Sequence, residues 1–393
     1  MIEENVSEFR VERIDDIPLL LAFLHRMGIV ELLDKQYRTH GNWAGELSFG
    51  TVACVWLCYI LSEGDHLLCH VQEWVERNQV MLESFLQQEV RGLDFQDDRL
   101  GQMLDTLSEA KQFSEFEHDL NCRVVRVYSL ETKRVRVDMT TSKTYAGVNE
   151  GGLFQYGHSK DHRPDLAQVK LGLASLYPLG LPVSTAVVSG NRGDDGIYVE
   201  LIERVEASIG FGAKLYVGDS KMDAIATRAF LVSGGDYYLC PLSLKQIGEM
   251  ELESLITGAM ESSQELKEIY ADKSKGGKQN RELIALGYSY EVELEAEVEG
   301  HRVSWVEQRI VSRSVGFAKQ QSSLLDKRVK RGFEALEKLN ERKRGKKRLN
   351  EKELQEASQA IIEKEKLRGL LKVEVREQQC SKREEEIQDA SSR

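Results

Sequence analysis

Six cysteines (Cys54, Cys58, Cys69, Cys122, Cys240 and Cys380) spread over 393 residues are too few and too scattered for a disulfide scaffold. A small secreted framework is excluded, and reduced thiols are expected. Long hydrophobic runs are missing too. The longest uncharged apolar stretch, Leu47 to Ser62, falls short of the roughly 18 to 20 residues that a membrane span needs, and its small and polar members suit a buried helix. The N-terminus, MIEENVSEFRVERIDD, is acidic and has no apolar core, so neither a secretory signal nor an Arg-rich transit peptide is read there. A cytoplasmic protein without a membrane segment is the expectation. No period of repeat-protein type is visible.

Positive charge is in deficit. With 53 Lys and Arg against 65 Asp and Glu the net charge is −12, which argues against a uniformly basic coat for nucleic acid. The deficit is uneven, however. Between Lys319 and Arg348 twelve basic residues face four acidic ones, so that stretch carries +8 and the rest −20. Its end, RKRGKKR, is a candidate contact to phosphates through Lys343, Arg344, Lys346, Lys347 and Arg348, because clustered cations displace counterions condensed on nucleic acid. A solvated helix of mixed charge is the competing reading.

What is present is enough apolar residue, 41%, for a real core in two or three domains. Residues 1–125 read as a helical domain, with Pro18 near the start of its first helix and the 47–62 run as a buried one. From Arg134 the pattern turns to short strands, VRVDM, VKLGLAS, PVSTAVV, KLYVG and DYYLC, interrupted by a helix from about Asp195 to Ile209 in which Tyr198, Leu201, Ile202, Val205 and Ile209 recur at helical spacing. Asp194 or Asp195 can cap that helix. Short strands mixed with helices make residues 126–250 an α/β core. After it a polar, acidic stretch leads to SKGGKQN, read as a flexible loop. Alternation through Val292 to Trp305 about a Glu299-Gly300 turn then predicts a hairpin, so 251–313 is a β-rich insertion. Residues 314–393 are charged and helix-prone.

Two aspartates stand at strand ends, Asp138 in VRVDMTTSK and Asp219 in KLYVGDSKMD. In α/β sheets chemistry collects just beyond strand ends, and a carboxylate pair there suits hard divalent cations, although a strand-terminal Asp is also an ordinary turn former. Asp223, four residues past Asp219 on an expected helix, is read either as a solvated acid or as one standing behind the metal ligands, and not as a ligand itself. Cys54, Cys58, His66, Cys69 and His70 have the makings of a zinc site, but two of these thiols lie inside the apolar run, where small buried cysteines are ordinary core. GDSKMD also fits the metal motif of haloacid-dehalogenase-type phosphatases. The nucleophile motif of those enzymes needs a second Asp that Asp138-Met139-Thr140 lacks, which leaves them a distant alternative.

FQYGHSKDHRPDLAQVKLGLA (residues 154–174), followed by LGLPVSTAVVSGNRGDDG, resembles the ribonuclease H-like DDE transposases of bacterial insertion sequences, and a run as long as GHSKDHRPDL is far more specific than any short motif. The match is dense over roughly residues 130–245. It implies a ribonuclease H-like core with Asp138 and Asp219 as catalytic metal ligands, two Mg²⁺ or Mn²⁺ ions, double-stranded DNA as substrate and a homodimer on that DNA. It also sets His158, Lys160, His162 and Arg163 near the catalytic face, where Lys160 and Arg163 are candidate phosphate contacts and ion pairs with Asp161 and Asp165 the structural alternative. Asn191 and Asp195 match the family without an assigned role.

That family carries its third carboxylate on a helix with the pattern Y-x2-R-x3-E-x6-K. The last tyrosine here is Tyr290, and Glu293 stands where the pattern requires Arg. The third ligand is therefore unidentified, Glu307 being only one of many glutamates beyond the hairpin, and the chain is expected to stop before it. Two functions follow: a transposase that cuts and joins DNA, or a non-catalytic DNA-binding remnant of one.

Overall fold

The computed structural model describes residues 11–39, 43, 45–158, 163–193, 195–261, 265–275, 278–341 and 349–375, with the backbone alone for residues 195, 272–275 and 278–280. It is a mixed α/β protein that divides into two compact units, residues 1–249 with 293–306, and residues 250–292 with 307–393.

Among the described residues seven α-helices open the first unit: α1 (Ile17–Met27), α2 (Ile29–Gln36), α3 (Phe49–Glu63), α4 (Val71–Arg77), α5 (Gln79–Leu86), α6 (Asp97–Leu107) and α7 (Ala110–Val127). The uncharged run becomes α3, started by Ser48, whose hydroxyl accepts the Thr51 N–H, and buried on nearly every side. Val52, Val55 and Cys58 on it are wholly enclosed, with Trp74, Leu82, Phe95, Leu100 and Met103 packed around them. No single helix among the described residues is long and apolar enough to cross a membrane.

A sheet follows, made of β1 (Arg134–Thr144), β2 (Ala167–Leu176), β3 (Leu181–Ser189), β4 (Leu215–Gly218) and β5 (Tyr237–Leu239), with α8 (Asp195–Ile209) before β4 and α9 (Ile225–Ser233) before β5. The strand order is β3-β2-β1-β4-β5. Strands β1 and β3 run antiparallel to β2, whereas β4 is parallel to β1 and β5 to β4, so β2 alone points the other way. Alternation along β1 puts Val135, Val137 and Met139 inside and leaves Arg136, Asp138 and Thr140 exposed. The inner face packs on Tyr198, Leu201, Ile202 and Val205 of α8, each fully buried, worth about 1.5–3 kcal/mol per large apolar side chain. On the face that bears Asp138, its cross-strand partner Leu173 stays 40% exposed and Val187 56%. Helix α7 ties the helices to the sheet: Asn121 Nδ2 donates to Val183 O at 2.6 Å and the Thr185 hydroxyl to Glu117 at 2.6 Å.

Helices α10 (Leu244–Ile247) and α11 (Glu249–Met260) follow β5. Strands β6 (Lys267–Lys275), β7 (Lys278–Val298) and β8 (His301–Ser314) make a three-stranded sheet in that order. Glu299 and Gly300 both have positive φ, 50° and 78°, as a tight two-residue hairpin turn requires. The SKGGKQN loop is corrected. Strand β6 continues to Lys275 and β7 begins at Lys278, with Ser274 opposite Gln279, because backbone pairing with β7 outweighs the polar composition of the stretch. Residues 276 and 277 lie outside the described residues. Helices α12 (Val315–Asn340) and α13 (Glu351–Lys364) pack on each other: Arg328 donates to the carbonyls of Glu365 and Lys366, and Leu367 is fully buried against Gly332. The basic positions Lys343, Arg344, Lys346, Lys347 and Arg348 lie outside the described residues.

Candidate active site

The site starts from register. Val137 of β1 pairs with Gly218 of β4 in the parallel ladder, so Asp138 and Asp219 each stand one residue further along strands about 4.8 Å apart. Asp219 follows the last residue of β4 as expected, but the strand-end placement of Asp138 is corrected: it stands inside β1, which runs on to Thr144 because β2 continues to pair with it, and only the ladder with β4 stops before it. Asp138 is exposed, and its Oδ1 accepts the neighbouring Met139 N–H at 2.7 Å. Asp219 is half-buried and held from two sides: the Tyr198 hydroxyl of α8 donates to its Oδ1 at 2.7 Å and the Lys221 N–H to the same atom at 2.9 Å. Both bonds fall on Oδ1, which leaves Oδ2 available to a cation. Tyr198 is wholly enclosed, so a helix on the inner face sets the angle of a carboxylate at the sheet's end.

A loop beside the pair is fastened by Gln168, which is 1% exposed. Gln168 and Gln155 exchange backbone hydrogen bonds at 3.0 Å, while the Gln168 amide donates to Gly190 O at 3.0 Å and to His158 O at 3.2 Å. The two glycines of YGH and SGN follow from this closeness. A Cβ on Gly157 would come within 2.3 Å of Gly190 O, and one on Gly190 within 2.0 Å of Gln168 O. His158 and Asn191 are thereby brought to one cleft next to the carboxylates. Gln168, Tyr198, Lys170 and Lys221 were not singled out from the sequence. For Gln168 the available signal was its place at the end of the long motif.

The remaining candidates divide. Arg163 is exposed and forms a two-pronged ion pair with Asp165, at 2.8 and 2.7 Å, which raises the guanidinium pKa and lowers that of the carboxyl. Lys160, Asp161, His162 and Asp194 lie outside the described residues, as does the side chain of Asp195, the first residue of α8. Asp223 is corrected from a solvated acid on a helix. It sits in the turn before α9, 6% exposed, and its Oδ2 takes the Ser243 N–H at 2.6 Å, because the chain folds back over it. In the second unit Glu307 is buried against Arg309 at 2.9 Å. Cys54 and Cys58 belong to the helical core, where burial pushes both thiols up to about 12, and His70 Nδ1 is paired with Asp65 at 2.8 Å. Among the described residues no three His, Cys, Asp or Glu side chains gather closely enough to hold a metal ion.

Residues 9–118 match a family model described as a domain of unknown function (DUF4277). No curated protein matches the chain. Among solved structures, a Mos1 transposase paired-end complex with the left transposon end is similar at 10% identity with a TM-score of 0.20, covering 64% of this chain and 85% of that one. A pre-cleavage Mos1 transpososome matches at 9% identity with a TM-score of 0.21 over the same shares. A TM-score near 0.2 establishes neither a shared fold nor a shared activity.

Proposed function

We propose that this chain is a DDE transposase of a bacterial insertion sequence, cutting DNA at the element's ends and joining the freed ends to target DNA. The observation that carries the reading is the placement of Asp138, inside β1, and Asp219, just past the end of β4, each one residue beyond the last pair of the parallel β1–β4 ladder. It coincides with the two positions that the 154–174 motif marks by resemblance, and the order β3-β2-β1-β4-β5 with one reversed strand supports a ribonuclease H-like core. The donor chemistry fits Mg²⁺ or Mn²⁺: two carboxylates, one exposed and one with a free oxygen, offer the hard ligands such ions take and leave room for water and phosphate. When bound, such ions lower the pKa of an attacking water and stabilise the leaving oxygen of a phosphodiester. The chain's own contribution is to fix the carboxylates. Tyr198 and the Lys221 N–H hold Asp219, and the β1 ladder holds Asp138. In this reading Lys160, Arg163 and the basic run from Lys343 to Arg348 contact the DNA backbone, and two copies act on paired ends.

The test is cleavage of double-stranded DNA carrying the sequences that flank this coding region, in Mg²⁺ and in Mn²⁺. Nicking that Asp138→Asn and Asp219→Asn each abolish supports the reading. Nicking that survives both substitutions refutes it. A second reading is favoured by the absence of a third ligand beside the pair among the described residues: a DNA-binding protein that does not cut. Salt-sensitive DNA binding with no metal-dependent nicking selects that one.

A further inference from the structure

The sheet face that carries Asp138 bears a basic and aromatic group at the start of β1. Alternation along the strand puts Arg134, Arg136 and Asp138 on that one face, in steps of about 7 Å. Tyr177 follows β2, and its N–H donates to Arg134 O at 3.0 Å, which brings its ring to the two arginines. Both guanidiniums lie over that ring, Arg134 at 4.6 Å and Arg136 at 4.5 Å from its centroid. Arg136 is as near along the strand to Asp138 as to Arg134, yet it forms no ion pair with that carboxylate and turns to the tyrosine instead. Among the described residues no Asp or Glu pairs with either arginine, in a chain whose net charge is −12. Both are exposed, and residues 128–138, 173–181 and 214–218 around them are all described.

A lone exposed arginine needs only water. Two drawn to one ring repel each other, and an anion beside them offsets that repulsion. A guanidinium held by its flat face keeps its N–H edge for a second partner, and that edge matches phosphate oxygens in pairs. The same face carries Asp138 and stays open at Leu173 opposite it, while carboxylates repel a polyanion, so a DNA strand can cross them only where cations on that face take its charge. We infer that Arg134 and Arg136, steadied by Tyr177, hold backbone phosphates of the DNA strand as it runs from the carboxylates along β1 toward Arg134. The inference rests on the DNA-processing reading and adds to it the path of the strand over the sheet.

The test is fluorescence anisotropy of a labelled DNA duplex with the full-length chain, in EDTA, across a salt series. Each lost phosphate contact lowers the slope of log affinity against log salt by about 1. Arg134→Gln/Arg136→Gln should therefore lower the slope by about 2, and either substitution alone by about 1. Arg134→Lys/Arg136→Lys keeps both charges and should restore it. Lys111→Gln/Arg302→Gln makes the same charge change at cations that Glu115 and Glu295 already answer, and should leave the slope unchanged. Tyr177→Leu keeps the charges and removes the ring, so binding should weaken about two- to fivefold at an unchanged slope, with Tyr177→Phe like the wild type. Equal slopes for the arginine and control variants overturn the inference, and if the wild type still nicks DNA the transposase reading survives. A lowered slope that comes with conversion of a dimer to monomers, in sedimentation of the free protein, overturns it in favour of a contact between copies. Displacement of DNA by inorganic phosphate at constant ionic strength overturns it in favour of a free-phosphate site. Slopes as expected with no metal-dependent nicking uphold the inference and refute the cutting. A wild type that binds no DNA even at low salt overturns the inference and the transposase reading together.

Discussion

Replacing Glu206 with glutamine is expected to remove a pH-dependent weakness from the core. Glu206 on α8 and Asp236 just before β5 are each 4% exposed, and Glu206 Oε1 and Asp236 Oδ2 receive no hydrogen bond from any other group. Two buried carboxyls so placed are held together by a proton they share. Burial above all, then the hydrogen bond to Asp236 and its charge, push Glu206 from 4.5 to about 7, with Glu203 adding to the effect. Lys214 opposes it only in part, since its Nζ is committed to Gly210 O while its N–H donates to Asp236 Oδ1 at 2.8 Å. The enclosed Tyr216 hydroxyl feels the same pair, which adds to the burial that raises its own pKa. Between pH 4.5 and about 7 the folded chain keeps a proton that the unfolded chain has released. Stability is thus full below pH 4.5 and is lost as the pH rises through 7, by about 3 kcal/mol. That is a large part of the 5–15 kcal/mol typical of a domain. In Glu206→Gln an amide N–H replaces the shared proton and does not titrate. Urea denaturation of both proteins at pH 5 and pH 8 isolates the effect, because every other carboxylate titrates in both and cancels in the difference. The wild type should lose about 2.5 kcal/mol more than the variant between the two pH values. Equal losses would refute the shared proton.

Tyr198→Phe removes one of the two bonds on Asp219 Oδ1; it should cost about 1 kcal/mol of stability and lower metal-dependent cleavage by roughly tenfold or more with little change in DNA affinity. A stability loss with cleavage intact would make Tyr198 purely structural. Gly190→Ala brings a Cβ to 2.0 Å from Gln168 O and 2.7 Å from Gln155 O and should destabilise by at least about 1–3 kcal/mol, whereas Gly193→Ala, with nothing within 4 Å, should leave the melting temperature unchanged. Mass-spectrometric mapping of alkylation at pH 8 should find Cys69, which is exposed, modified long before Cys54 and Cys58, whose thiols burial holds protonated; rapid labelling of Cys54 would contradict the packing of α3.

The strands and α8 were legible because alternation and helical spacing report burial, and burial is what the sheet and its covering helix enforce. Asp219 was legible because it breaks an apolar strand at its end; Asp138 interrupts an apolar alternation in the same way, but β1 runs on to Thr144 beyond it because β2 keeps pairing with the polar residues that follow. Other features depend on partners that no local pattern carries. The polar stretch before β7 looks like a loop until backbone pairing with β7 makes it a strand. Asp223 looks solvated until Ser243, twenty residues later, returns to cover it. Lys170 reads as one more alternating residue of β2, and only the register with β1 and the fold of the Arg192 loop bring it beside Lys221.

Tyr198 shows why a residue that touches the candidate site can hide in a core pattern. It stands first in the stripe with Leu201, Ile202, Val205 and Ile209, and it is fully enclosed as that stripe requires. Its ring meets the demand of the core, and its hydroxyl, at the end of the same side chain, reaches the strand end to hold Asp219. A leucine at this position would satisfy the periodicity equally well and leave the carboxylate held by the Lys221 N–H alone. Eight residues along α8, about 12 Å, Glu206 meets Asp236 at the opposite end of the parallel strands. One helix therefore carries a polar anchor at each end of an apolar stripe, one fixing the carboxylate of the site and the other a proton-sharing pair. Apolar packing leaves a helix some freedom to slide along the sheet. The anchors add direction to that packing, and the one at Tyr198 orients Asp219.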